Sequence, residues 1–304
     1  MSNRLRWLIW SAALMLALAA PGGVAAQGNP DPFGFKFNTG QSVQPIFEGW
    51  AKNPDGTFAM YFGYLNRNYV ETPEIPVGPE NKIEPGAPDS GQPTFFYNRI
   101  RRKAFSVTVP KDWGKKELTW TVTAHGVAEK AVAWLQPEWE IDPVYGGKTR
   151  TEESLKNTPP TMTLEAPSTV MLPSKLTLTA NVKDDGLPKP RAAAPRRPAV
   201  GQETPPSLKP LPDQSEVPVN VPSIGGGRGR GGAAPRGLVV NWTVWRGPAA
   251  ATFASAAVQV TNGKALTTAT FTKPGTYVLR AVANDGELTD QKDVTVRVTG
   301  TAQP

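Results

Sequence analysis

The chain has no cysteine among its 304 residues. This excludes disulfides, a thiol nucleophile and the lipid-bearing cysteine of an exported lipoprotein. Histidine is almost as scarce: His125 is the only one, and no acid or nucleophile stands beside it in Ala124-His125-Gly126. After its first 26 residues, the sequence also contains no metal-ligand cluster, nucleotide-binding loop or nucleophile elbow. We therefore predict that the protein is not an enzyme.

Acidic residues are fewer than basic ones, with 26 Asp and Glu against 33 Lys and Arg, which gives a formal net charge of +7. The excess includes Arg4 and Arg6 and is concentrated in one arginine-rich segment, residues 187–237. A basic face spread over the whole fold is therefore not indicated, and we expect no nucleic acid partner.

The only long apolar run lies at the start of the chain. Arg4 and Arg6 precede residues 8–20, and the small residues of Val24-Ala25-Ala26 follow. The run is shorter than the roughly 20 residues that a membrane span needs. We predict a signal peptide, residues 1–26, cleaved near Ala26 and Gln27, and a periplasmic or secreted mature protein without a transmembrane span. A retained membrane anchor is the alternative.

Proline and glycine are abundant, at 32 and 29 residues. With many Thr and Val residues, they favour short strands joined by turns. The pattern breaks near residues 142–160. We predict an all-β chain of two β-sandwich domains, residues 31–142 and 160–298, joined by a linker at residues 143–159.

Alternating apolar residues predict strands in the N-terminal domain. Residues 58–65 place four apolar side chains on one face, and similar alternation occurs at residues 104–109 and 118–123. Residues 73–93 contain too much Pro and Gly for a central strand, so we predict a long surface loop there.

Amide, guanidinium and aromatic side chains stand near the ends of these strands. Candidate ligand-binding residues are Trp50, Asn66, Arg67, Asn68, Arg99, Arg101 and Trp139. Such donors beside aromatic rings suit a carbohydrate or an acidic polymer. The structural alternative stays open, because Asn after a strand often serves a turn and surface arginines are often solvated or paired.

Three segments of the C-terminal domain carry a family resemblance. Residues 241–248 (NWTVWRGP), 269–271 (ATF) and 275–286 (GTYVLRAVANDG) resemble the Ig-like PKD/REJ-type repeats of exported bacterial proteins. The resemblance covers about residues 160–298 and implies an Ig-like sandwich. It implies that Trp242 packs in the core as the strand-C tryptophan and that Tyr277 makes a corner contact near the start of strand F.

Residues 187–237 depart from that pattern. This insertion is rich in Pro, Arg and Gly and contains GGGRGRGG at residues 225–232. Such a composition buries too little apolar surface to offset the entropy of ordering it, so we predict a disordered insertion. Its arginines suit contact with an anionic surface, either lipid headgroups or acidic polysaccharide. A merely soluble loop is the alternative.

Acidic turns follow two predicted strands of the C-terminal domain. Asp184 and Asp185 follow strand B, and Asp285 follows strand F, with Asp290 close behind. The B–C and F–G loops lie at the same end of an Ig-like fold. We therefore predict weak Ca²⁺ binding by these four residues and no other cofactor. Asp-Gly is also an ordinary turn dipeptide, which leaves a structural reading open.

Together these features favour an exported, non-enzymatic binding or spacer module of the cell envelope or extracellular space. PKD-type domains serve in adhesion, assembly and carbohydrate contact, so the resemblance implies an envelope polysaccharide or a protein as partner. The alternative is a carbohydrate-active enzyme or accessory glycan-binding protein. Its carboxylates, for which Glu48, Asp55, Glu138 and Asp142 are candidates, would meet only in the fold.

The signal peptide is directly testable. Mass spectrometry of the native protein should find an N-terminus at or near Gln27, because the small residues before it suit signal peptidase. Recovery of intact Met1 in a membrane fraction would show that the segment is an anchor.

Overall fold

A computed structural model describes residues 37–142, 151–189 and 237–300. The predicted signal peptide and residues 190–236 of the predicted insertion lie outside the described residues. The described chain is nearly all β, which confirms the predicted fold class. The strands are β1 Val43–Lys52, β2 Phe58–Asn66, β3 Asn81–Glu84, β4 Arg99–Val109, β5 Leu118–Ala124, β6 Val127–Ala133, β7 Thr161–Glu165, β8 Thr169–Met171, β9 Leu176–Lys183, β10 Val239–Arg246, β11 Ala251–Phe253, β12 Ala257–Gln259, β13 Lys264–Phe271, β14 Gly275–Asn284 and β15 Thr289–Thr299.

Two short helices accompany the strands. A 3-10 helix spans Pro137–Trp139, and helix α1 spans Glu152–Lys156. Thr151 caps α1, because its side chain accepts a hydrogen bond from the Ser154 amide at 3.1 Å. No helix in the described ranges is long and apolar enough to cross a membrane.

The N-terminal sandwich packs sheet β1-β2-β4 against sheet β3-β5-β6. Strand β2 alternates as predicted, and Met60 and Phe62 are fully buried. Trp120 of the second sheet is also fully buried, and its ring lies 5.9 Å from that of Phe62 and 4.9 Å from that of Phe105. Aromatic contacts between the two sheets therefore form the centre of this core.

The C-terminal sandwich has an immunoglobulin-like strand order. One sheet runs β7-β9-β13-β11, which corresponds to A-B-E-D, and the other runs β8-β15-β14-β10-β12, which places G, F and C side by side. All strand pairs are antiparallel except β15 with β8. The chain departs from the usual order in one respect, because β11 in the D position precedes β12, the strand beside C.

The two structural roles that the Ig-like resemblance implied are confirmed. Trp242 on strand C is fully buried. The Tyr277 hydroxyl donates to the Lys273 carbonyl at 2.9 Å, four residues upstream, which is the corner contact of Ig-like domains.

Residues 73–93 differ from the predicted surface loop, because they contain the edge strand β3 and buried side chains. The amide nitrogen of Asn81 donates to the carbonyls of Ile75 (2.9 Å) and Pro93 (2.7 Å), and its oxygen accepts from the Trp120 indole at 3.0 Å. One buried amide thus satisfies backbone carbonyls that have no strand partner. This is how a segment rich in Pro and Gly can enter the core.

A matched pair of glycines tests the Tyr277 corner. Gly247 and Gly78 share nearly the same φ, +159° and +156°. A Cβ on Gly247 would lie 2.5 Å from the Tyr277 ring, whereas one on Gly78 would meet nothing within 4 Å. We expect Gly78→Ala to cost about 1–2 kcal/mol of unfolding free energy from backbone strain alone. Gly247→Ala should cost about 1–3 kcal/mol more from overpacking. Equal costs in chemical denaturation would show that the ring is not held at this position.

Candidate functional site

The two sandwiches exchange aromatic side chains across their junction. Trp245, near the end of β10, lies in the core of the N-terminal sandwich, with its ring 6.3 Å from that of Phe105. In return, Phe95, from the segment before β4, lies in the core of the C-terminal sandwich, with Tyr97 packed against the same core. Each core is therefore completed by residues from the other half of the chain.

A β-bulge at the end of β10 is hydrogen-bonded to the N-terminal sandwich. The register of β10 on β14 shifts between Val244 and Arg246, which makes Trp245 the additional residue. The Trp245 carbonyl accepts from the Thr94 amide at 3.2 Å. The Val244 amide donates to the Tyr97 hydroxyl at 2.8 Å. Backbone polar groups and aromatic packing thus hold the same few residues in place.

Two arginines flank Trp245. The guanidinium carbon of Arg280 lies 3.5 Å from the centroid of the Trp245 ring, and two of its nitrogens donate to Asp293 at 2.8 Å each. Because the Arg280 side chain is only 7% exposed, this cation–π contact is largely desolvated, the setting in which such contacts are strongest. Arg246 crosses the junction and forms a bidentate pair with Asp89, with both distances 2.7 Å.

A cleft of about 250 Å³ opens at this junction. It is lined by Asp89, Gly91, Trp245, Arg246, Val278, Arg280 and Asp293. Each arginine already holds two carboxylate hydrogen bonds, so the cleft is charge-compensated. An anionic ligand would have to displace an aspartate to enter it. The cleft is therefore poorly suited to bind anions, and its charged residues stabilise the junction.

Three of the predicted ligand-binding residues lie in the interior. Trp50 is buried and donates its indole N–H to the Gln136 carbonyl at 2.7 Å. Asn66 is fully buried, and its amide nitrogen donates to the carbonyls of Glu71 and Phe96. Asn68, also fully buried, exchanges two hydrogen bonds with the Gln41 backbone and donates to Asn66 Oδ1. Their polar atoms are used within the fold.

The other predicted ligand-binding residues are nearer the surface. Arg99 pairs with Asn66 at the end of the β2–β4 ladder, so its backbone lies close to that of Arg67, the residue after Asn66, and both arginines are exposed. The Arg99 guanidinium stacks 4.4 Å from the centroid of the Tyr69 ring. We call Arg67, Tyr69 and Arg99 the basic edge.

Two predicted ligand-binding residues do not belong to the basic edge. Arg101 is half-buried and lies over the Tyr97 ring. Trp139 is 41% exposed and stacks on Phe47 with the ring centroids 5.4 Å apart. Binding by any of these residues stays a prediction.

The four predicted calcium ligands have different surroundings. Asp185 accepts from the amide and hydroxyl of Thr158 at 2.8 and 2.7 Å. Asp290 accepts from the Met162 amide and pairs with Lys292. Asp285 is 5% exposed, and Asp184 is half-buried. No group of three or more Asp, Glu, His or Cys side chains is arranged to hold a metal in the part of the chain that the structure describes.

Two of the four carboxylates that the enzyme alternative would use, Glu48 and Asp55, accept hydrogen bonds from the backbone. Glu48 lies within β1 with its side chain 6% exposed, and its Oε2 accepts from the Lys103 amide at 2.7 Å. Burial raises the pKa of the Glu48 carboxyl above its usual value. Asp55 lies in the β1–β2 turn and accepts from the Thr57 amide and hydroxyl. Both carboxylates thus accept hydrogen bonds from backbone amides and stabilise the local backbone conformation.

Comparisons with known proteins give only distant similarities. No family model and no curated protein matches the chain. Among solved structures it is similar to the D00–D0 domain of intimin, at 12% identity and a TM-score of 0.26, covering 88% of this chain and 96% of that one. Domains 4 and 5 of the surface-layer protein SbsC give 11% identity and a TM-score of 0.22, covering 85% and 98%. The Ig-like assignment rests on the strand order and the Tyr277 corner, and the narrower PKD/REJ resemblance stays a prediction.

The Arg246–Asp89 pair across the junction predicts a pH dependence. Hydrogen bonding from Arg246 lowers the pKa of Asp89 from 3.8 to about 2. The pair therefore stabilises the fold fully above about pH 3.8, and this contribution is lost as the pH falls toward 2. Asp89→Asn should lower the free energy of unfolding at pH 7 by less than about 1 kcal/mol, because the Asp89 side chain is half-exposed.

The exposed turn residue Asp112 provides the control for this measurement. The difference between the parent and Asp89→Asn should shrink as the pH falls below 3.8, whereas Asp112→Asn should change little at pH 7. A loss for Asp89→Asn that stays constant down to pH 2 would contradict an ion-pair contribution.

Proposed function

We propose that this protein is an exported, non-catalytic module that holds two β-sandwiches in one fixed arrangement, as a spacer or binding component of the cell envelope or extracellular space. The observation that carries the proposal is the exchange of Trp245 and Phe95 between the two cores. Separating the sandwiches would expose both rings. A component that must set a distance or present a continuous surface needs such a junction, because domain motion is otherwise the default.

Rigidity is tested by calorimetry and NMR relaxation on the mature chain. The parent should unfold in one transition, and both sandwiches should share one rotational correlation time. Trp245→Ala should cost about 3–5 kcal/mol in the N-terminal core and separate the transitions of the two sandwiches. Trp139→Ala, at a tryptophan that is 41% exposed, is the matched control and should keep the single transition. Independent transitions or two correlation times in the parent would refute a fixed arrangement.

For the binding role, the basic edge supports an acidic polysaccharide as the ligand. It combines two exposed guanidinium groups, which suit carboxylates, with the Tyr69 ring, which is 37% exposed and holds the Arg99 guanidinium by stacking. Strand β4 is an edge strand of its sheet, so no further strand of the described residues covers this surface. The arginines of the predicted insertion would add salt-dependent attraction to the same ligand.

Titration with polygalacturonate distinguishes specific binding at the basic edge from non-specific attraction by the net positive charge. Arg67→Ala combined with Arg99→Ala should weaken binding at least tenfold at 0.15 M salt, if the planar donors contact carboxylates. Lys111→Ala combined with Lys115→Ala removes the same charge from an exposed turn and should weaken binding less than threefold. Equal losses in the two variants would show non-specific attraction, and no binding by the parent would exclude this ligand class.

A further inference from the structure

Three separate segments meet at one end of the C-terminal sandwich. The start of β7 lies beside the end of β9 through the pairing of Thr161 with Lys183. Helix α1 precedes β7 and reaches the β14–β15 turn, because Asn157 Nδ2 donates to Asp285 Oδ2 at 3.1 Å. Ser154 Oγ likewise donates to Glu287 Oε1 at 2.9 Å. The helix, the end of β9 and the turn thus form one polar cluster.

This cluster contains buried oxygens that accept no hydrogen bond. They are Asn157 Oδ1, Asp184 Oδ1 and Glu287 Oε2. Asn157 is 91% buried, since its exposed fraction is 9%, and its amide group is held against Asp285, which is 5% exposed. Buried polar atoms are nearly always paired, so three acceptors without a donor at one place leave room for a bound water or ion, and the carboxylates around them favour a cation.

The neighbouring charges make the same point. The Asp184 carboxyl is half-buried and lies within electrostatic range of the negative charges of Asp285 and Asp185. Asp184 Oδ2 accepts from the Gly186 amide at 3.0 Å, which leaves Oδ1 without a partner. Carboxylates gathered in this way repel one another, and a cation bound between them would relieve that repulsion.

We propose that Asn157, Asp184 and Asp285 bind a Ca²⁺ ion. Calcium takes carboxylate and amide oxygens in flexible geometry and completes its shell with backbone carbonyls and water. This mixed donor set differs from the four aspartates that the sequence predicts, because Asp185 is exposed and Asp290 pairs with Lys292. Asp285 also accepts hydrogen bonds, from the Glu287 and Leu288 amides and from Asn157, but it is buried against Asn157 at the centre of the cluster. It contains two carboxylates and an amide, which agrees with the lack of any three-acid metal group in the described ranges.

The ion would have a structural consequence that goes beyond the spacer or binding role. Asn157 ends helix α1, just before the chain enters β7, while Asp184 and Asp285 belong to two loops of the sandwich. Calcium would tie the entry of the chain to the end of the sandwich. Extracellular calcium would then stabilise the connection between the two domains.

The test uses isothermal titration and thermal unfolding of the mature chain with CaCl₂. We expect one site with Kd of about 10⁻⁴–10⁻³ M, the range of extracellular modules, and a higher Tm in calcium. Asp184→Asn should weaken binding at least tenfold. Asp185→Asn, its immediate neighbour with partnered oxygens, is the matched control and should change Kd less than threefold.

A second variant distinguishes a calcium ligand from a merely structural amide. Asn157→Asp adds a third carboxylate and removes the donor to Asp285, so it should lower the Tm without calcium and enlarge the calcium-induced rise. A purely structural role would lower the Tm equally with and without calcium. That result would overturn the proposal. So would a parent that shows neither binding heat nor a rise in Tm, or an equal loss of calcium affinity in Asp184→Asn and Asp185→Asn.

Discussion

The placement of Trp245 is the constraint on which the rest of the structure depends. Its ring packs in the N-terminal core, and its indole N–H donates to the Gly91 carbonyl at 3.2 Å. The guanidinium carbon of Arg280 lies 3.5 Å from the centroid of the same ring. A tryptophan buries far more apolar area than any smaller residue, so withdrawing it would leave a large cavity. The two sandwiches consequently stabilise each other, and neither core is closed without the other.

Buried asparagines provide the second organising principle of the N-terminal sandwich. Asn66, Asn68, Asn81 and Asn98 each donate to backbone carbonyls of irregular segments. Long connections carry polar groups that would be costly to bury unpaired, and a side-chain amide replaces the strand that is missing. Loops that bury Phe95 and Phe96 can exist for this reason. Asn66 and Asn68, predicted from the sequence to be ligand-binding donors, are therefore hydrogen-bonded within the fold.

Local patterns made much of the fold predictable. Alternation predicted β2, β4 and β5, and the resemblance predicted the roles of Trp242 and Tyr277. The junction was not predictable in the same way, because Trp245 and Phe105 are 140 positions apart and no local pattern relates them. One signal was present: Trp245 is a large aromatic residue that interrupts the alternation of Val240, Trp242 and Val244, and its outward face requires a partner.

The connection between the sandwiches is held at both of its described ends, by Ile141 before it and by Asn157 after it. Before the connection, the Ile141 amide donates to the Trp50 carbonyl at 2.9 Å, which fastens the chain to β1. After it, Asn157 is fastened to Asp285. Rotation about a linker requires freedom at its ends or at the contact between the bodies. Here both ends are hydrogen-bonded to their own sandwich, and the contact between the bodies is an exchange of core residues. The length of the connection therefore matters less than the junction in fixing the relative orientation of the two sandwiches.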